Sequence, residues 1–188
     1  MSALGVDGPV SVSTEWLAAH LSDPEVRIVD IRGKVLPPGS KPRYVAKRGD
    51  YDDGHIPGAA FVDWTRDIVD ADDPIPSQVA APGPFAAKMT ELGVGDGTMV
   101  VAYDDYDHIF AGRLAWALRY YGHDAVRILD GGWSRWLAEG RPVVASAPPA
   151  MLPGAASGAV FTARARPSLS RANGLVHPWC GASCAASG

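Results

Sequence analysis

The sequence predicts an α/β protein, an open and mainly parallel sheet with helices on both faces, followed by a disordered C-terminal tail. Three observations predict it. Short runs rich in β-branched and apolar residues alternate with segments of helical spacing from Pro9 to Leu137, the pattern of right-handed strand, helix, strand crossovers. One run, Thr98-Met99-Val100-Val101-Ala102-Tyr103, is apolar almost throughout, as a central parallel strand covered on both faces requires. The composition then breaks. Glu139 is the last acidic residue, and 28 of the 44 residues from Ala145 to Gly188 are Ala, Ser, Gly or Pro, which leaves too little apolar surface to offset the entropy of ordering. The expected body is residues 8–144 and the expected low-complexity tail is 145–188.

In chain order, Pro9 to Val12 reads as a short strand, and Ser13 is positioned to cap a helix of about 9 residues that carries Trp16, Leu17 and His20 or Leu21 on one face. Val26 to Ile31 is a β-branched strand with Asp30 near its carboxyl end. Gly33 to Asp53 is polar and holds Lys34, Lys41, Arg43, Lys47 and Arg48, so it reads as a long surface loop. The turn Gly54-His55-Ile56-Pro57-Gly58-Ala59 feeds a short buried strand at Ala60-Phe61-Val62, followed by an irregular acidic stretch to Pro76. Phe85 to Leu92 is helical, with Gly93 as its stop. After the central strand comes the polar loop Asp104 to His108. Ile109 to Tyr121 then places Phe110, Leu114, Ala117 and Leu118 at helical spacing, Ala125 to Leu129 is a strand, and Gly131-Gly132 opens a helix with Trp133, Trp136 and Leu137.

A chain of 188 residues with 47% hydrophobic residues and a net charge of −4 suits one domain with a real core. It has no apolar run of the roughly 20 residues that cross a bilayer, and no basic leader precedes an apolar stretch. A cytoplasmic protein is expected, with no membrane and no nucleic-acid partner, since neutralising phosphates needs clustered Lys and Arg. Both cysteines, Cys180 and Cys184, fall in the tail with only His177 nearby, too few ligands for a closed zinc site. They read as two exposed thiols. No metal and no cofactor are expected.

In an open parallel sheet, ligands gather beyond the carboxyl ends of the strands, where amides of a helix N-terminus can cradle an anion. The loop after the central strand reads Asp104-Asp105-Tyr106-Asp107-His108. Three carboxylates there should reject an anion unless Arg113 or a metal pairs with them.

Asp30-Ile31-Arg32, Gly54-His55-Ile56-Pro57-Gly58-Ala59, Val100-Val101-Ala102-Tyr103-Asp104, Gly122-His123 and Leu129-Asp130-Gly131-Gly132-Trp133, followed by Trp136 and Gly140-Arg141-Pro142-Val143, resemble a rhodanese domain in order and spacing over residues 8–144. They look most like the N-terminal, non-catalytic half of two-domain thiosulfate or 3-mercaptopyruvate sulfurtransferases. The resemblance implies transfer of sulfane sulfur from a small donor to a thiophilic acceptor. Active members place a cysteine directly after the central strand, where loop amides stabilise its thiolate and then its persulfide. Asp104 stands at that position. A hard carboxylate oxygen cannot make the S–S bond that a thiolate makes, so no catalytic residue is expected and Asp104, Asp105, Tyr106, Asp107 and His108 form a degenerate loop. In the family the active loop lies in the C-terminal half. Phe161 to Pro167 resembles the interdomain linker, and the small-residue composition beyond it implies that the second domain was lost by truncation or a shifted reading frame. The expected partners are the missing rhodanese domain or, through the face it would cover, a second copy of the chain.

Asp30 and Arg32 are expected to pair at the strand end, His55 to bond to backbone within its turn, and Arg113 to neutralise the loop aspartates. Trp179-Cys180-Gly181-Ala182-Ser183 also resembles the family's loop, but without a preceding strand or a following helix to position its amides. Two other functions compete. Asp105-x-Asp107 after an apolar strand resembles the first motif of magnesium-dependent aspartate phosphatases, which also need a downstream lysine; none follows Lys88. A non-catalytic rhodanese-like module that docks a protein partner is the other.

Overall fold

The computed structural model describes residues 9–75, 77–145 and 159–166. Five parallel strands form one sheet in the order β1 (Ser11–Val12), β7 (Val126–Leu129), β6 (Met99–Tyr103), β2 (Val26–Asp30) and β5 (Ala60–Phe61). Along β6 the side chains alternate. Val100 and Ala102 enter a cluster with Phe85 and Met89 of α3 (Pro82–Glu91) and Phe110 and Leu114 of α4 (Ile109–Tyr120). Met99, Val101 and Tyr103 enter the opposite cluster, with Leu17 of α1 (Thr14–Ala19) and Trp136 of α5 (Gly132–Ala138). The sheet is therefore covered on both faces, which is why β6 tolerates no polar position. Ser13 caps α1 by accepting the Trp16 N–H at 3.1 Å, and Gly93, at φ +72°, ends the turn after α3.

Two expectations need correction. Gly33 to Asp53 is not a structureless loop: β3 (Gly33–Val35) and β4 (Tyr44–Ala46) form an antiparallel hairpin, and α2 is Arg48–Asp53. Tyr51, the one large apolar residue of α2, is buried and donates its hydroxyl to the Ala59 carbonyl at 2.8 Å. The segment 159–166 lies on the body. Phe161 is only 4% exposed and packs against Phe85 and His123. The rest of the tail beyond Ala145, with His177, Cys180 and Cys184, lies outside the described residues. No helix of the described residues is long and apolar enough to cross a membrane.

Candidate functional site

The carboxyl ends of β2, β6 and β7 meet at one place. Asp104 follows β6 and is 1% exposed. Its carboxylate turns inward and accepts four backbone N–H groups: Oδ1 from Tyr106 (2.9 Å) and His108 (3.0 Å), Oδ2 from Phe110 and Ala111 (2.8 Å each). The last two are the first-turn donors that a helix leaves without intrahelical partners, and a negative group there is favoured by the helix dipole. The amides at this helix terminus are thus taken by an acid of the protein itself, with neither Arg113 nor any metal-holding group among the described residues pairing with it. Asp107 and His108 adopt φ of +51° and +62°, a left-handed conformation that wraps the chain around the carboxylate.

The backbone of Asp104 is fixed from β7. Its carbonyl accepts the Trp133 N–H at 2.9 Å, and Gly132, at φ +53°, passes so close that a Cβ there would collide with that carbonyl. From β2, Asp30 is fully buried and Arg32 is 2% exposed, and they form an ion pair at 2.8 Å. Arg32 Nη2 also donates to the carbonyls of Gly54 (2.6 Å) and Asp50 (3.1 Å), and its guanidinium lies 4.4 Å over the Trp133 ring. Asp30 Oδ2 accepts the Tyr103 hydroxyl at 2.7 Å, and that hydroxyl accepts the Ile56 N–H at 3.2 Å. Burial pushes the Asp30 carboxyl upward while Arg32 and Tyr103 oppose it. Burial and the neighbouring Asp30 raise the Tyr103 phenol. This network ties the turn at residues 54–59 to the residue preceding Asp104.

The other predicted residues separate. Asp105 leaves the cradle and pairs with Lys47 at 2.5 Å. Burial opposes the charge on Lys47, but hydrogen bonds and attraction from Asp105 and Asp50 outweigh it and raise its pKa. Asp105 Oδ1 and His108 Nδ1 are buried with no hydrogen-bond partner among the described residues. Tyr106 and Asp107 are exposed. His55 donates from Nδ1 to the Tyr51 carbonyl (2.9 Å), stacks on the Tyr51 ring at 4.0 Å, and pairs its backbone with Val144. Arg113 does not neutralise the loop aspartates. It donates from Nη2 to the Ser77 carbonyl at 2.6 Å and lies over Trp116, and burial lowers its pKa to about 10. Just over one turn into α4, its side chain sits beside the acidic stretch before α3 instead of the loop. Sequence reading missed Lys47 as a loop partner and Tyr103 as the link between strands; an acid and a base 58 residues apart leave no periodic signal. Among the described residues no group of three or more His, Cys, Asp or Glu side chains could hold a metal, so Asp105 and Asp107 gain no third ligand of the phosphatase kind.

An inward carboxylate thus sits where the β6-to-α4 turn gathers its amides. The pattern of the Rhodanese-like domain family matches residues 13–139. The chain belongs to that family. It is 37% identical over 139 residues to the sulfur carrier protein TtuD of Thermus thermophilus, covering 74% of this chain and 43% of that protein. It is 40% identical over 125 residues to the 3-mercaptopyruvate sulfurtransferase of Escherichia coli K12, covering 66% and 43%. Among solved structures, SseA of Escherichia coli, which displays the rhodanese fold of the 3-mercaptopyruvate sulfotransferases, superposes with a TM-score of 0.71 at 32% identity, covering 86% of this chain and 57% of that one. This rhodanese-like chain spans less than half the length of the two curated relatives.

Proposed function

We propose that this rhodanese-like domain is the cysteine-free, N-terminal-type half of a thiosulfate or 3-mercaptopyruvate sulfurtransferase, and that its loop does not itself carry sulfur. The carrying observation is the Asp104 carboxylate with its four N–H donors. To load a sulfur-carrying loop, its free cysteine thiolate attacks the outer sulfur of thiosulfate; the new S–S bond forms as the old one breaks and sulfite leaves with the bonding pair. The terminal sulfur then passes to a nucleophile such as cyanide, giving thiocyanate and the free thiolate. A carboxylate makes no such bond, and here it occupies the amides that would stabilise the sulfur anion. Turnover on this reading uses a cysteine-bearing rhodanese domain as partner, with a small sulfur donor and acceptor, in the cytoplasm. The competing binding-module reading draws on Tyr106 and Asp107, which project from the loop.

The test is thiocyanate formation from thiosulfate and cyanide with Cys180 and Cys184 both changed to serine, beside the same chain carrying Asp104→Cys. The parent is expected to show background rate only, and Asp104→Cys to acquire one sulfur atom, an added 32 Da, on that residue. Turnover by the parent would defeat the proposal. So would an Asp104→Cys thiol that stays unloaded while the fold is intact, since the amides would then not be a sulfur cradle.

A further inference from the structure

We infer that residues 159–166 are an acid-released strap, held on the body by neutral His123 and freed when that ring takes a proton. The strap is stitched by backbone and side chain. Phe161 N donates to Thr90 Oγ1 (3.1 Å) and Thr162 N to Asp96 Oδ1 (3.3 Å). Arg164 N and Arg166 N donate to the carbonyls of Tyr121 (2.9 Å) and Tyr120 (2.8 Å) at the end of α4, and the Arg166 guanidinium pairs with Asp124 at 2.8 Å. Glycine makes the approach possible. A Cβ on Gly95 would press to 3.2 Å on Ala159, and one on Gly122 to 3.3 Å on the Arg164 carbonyl.

His123 sits beneath this strap. It is 6% exposed, its backbone N–H bonds to the Leu118 carbonyl at 2.9 Å, and its ring faces Phe161 at 5.7 Å. Nε2 is buried with no partner among the described residues. A proton there would put a charge on a ring buried beneath the strap, which is costly. Burial is the dominant influence and lowers the His123 pKa below its ordinary 6.5. The groups that favour the charged ring are the backbones of Ala125 and Thr98 and the carboxylates of Asp96, before β6, and Asp124, before β7. From α3, Phe85 and Thr90 meet Phe161 on the strap side of the ring, and the strap's Arg166 cation pairs with Asp124. Asp96 and Asp124 are also the strap's own anchors. An imidazolium therefore draws on the carboxylates that hold Thr162 and Arg166 in place.

The sign follows from linkage. Closure keeps His123 neutral, so its contribution is complete above about pH 6.5 and is lost as pH falls below that value toward the lower pKa of the closed form. One proton gives an opening constant that rises by at most about tenfold per pH unit in that window.

Hydrogen exchange read as protection factors tests this. As pH falls below about 6.5, protection at the Phe161, Arg164 and Arg166 amides should fall, by at most about tenfold per unit, while Val101 and Ala102 in β6 hold theirs. His123→Gln should flatten that dependence. Should the variant fail to fold, proton NMR of the unaltered chain serves: the His123 ring and the strap amides should titrate with one midpoint. The inference is overturned by pH-independent strap protection, by an unchanged slope in His123→Gln, or by separate midpoints.

Discussion

Two strand-to-helix turns of this domain begin alike and end differently. Tyr103-Asp104 closes β6 and Leu129-Asp130 closes β7, and each turn enters its helix through a residue with left-handed φ, His108 at +62° and Gly131 at +71°. Asp104 is buried and accepts four amides. The Asp130 side chain is 54% exposed and, among the described residues, pairs with the Arg135 guanidinium on the surface. Chain length between strand and helix makes the difference. Residues 105–108 give the first turn enough backbone to curl round its acid, so amides from four positions converge on one point. A single glycine, Gly131, separates Asp130 from α5, and the chain turns away from the carboxylate before any amide can face it. The acid's role is set by how many N–H groups the turn aims at it.

Truncating each acid should expose the contrast most strongly. Asp104→Ala leaves buried amides without acceptors, at about 1–3 kcal/mol for each buried group left unsatisfied, with partial relaxation, so a total loss of about 3–4 kcal/mol is expected. Asp130→Ala removes an exposed pair and should cost about 0–1 kcal/mol. Urea unfolding of the two variants measures both. Equal losses would dissolve the distinction between the turns. The next effect comes from the place where the two turns touch. Gly132→Ala forces a side chain into φ +53° against the Asp104 carbonyl, at about 1–3 kcal/mol, and should speed hydrogen exchange at Phe110 and Ala111 by displacing their acceptor. Unchanged exchange would show that β7 does not hold the cradle.

Much of this architecture could be read from residue order. The alternation in β6, the Ser13 cap and the Gly93 stop are local signals, each decided within a few residues, and the structure follows them. The loop after β6 could be singled out, but nothing local says whether a strand-end aspartate turns in like Asp104 or out like Asp130. That depends on amides contributed by positions up to seven residues later. The hairpin β3–β4 and helix α2 escaped because their polar composition hides the few residues that pack inward, Val35, Tyr44 and Tyr51. Phe161 escaped for the opposite reason. A single aromatic among alanines and arginines carries no periodicity, and its contacts with Phe85 and His123 lie 76 and 38 residues away. Arg113 shows the limit of charge arithmetic. An arginine near three aspartates in sequence is turned by its helix toward a backbone carbonyl and an indole.

The smallest expected effect belongs to the outward turn and is electrostatic. Arg135 bridges Asp130 to Glu139, and Glu139 accepts hydrogen bonds from Thr14 Oγ1, Arg135 Nε (2.8 Å) and Arg141 Nε (2.7 Å), joining α5 to the start of α1. The Thr14 hydroxyl first, then the two guanidinium groups, hold the Glu139 carboxyl at about 2, below its ordinary 4.5. The unfolded chain therefore binds that proton more readily than the folded one. The clasp's contribution is complete above about pH 4.5 and is lost as pH falls from there toward 2. Solvent screens these exposed groups, so the change in urea midpoint should be modest and should shrink with added salt. Glu139→Gln should make the acid limb between pH 5 and 2.5 shallower by up to about one proton. If the two slopes coincide, the clasp carries no linked proton and the outward turn is held by packing and by the Trp133 bond to the Asp104 carbonyl.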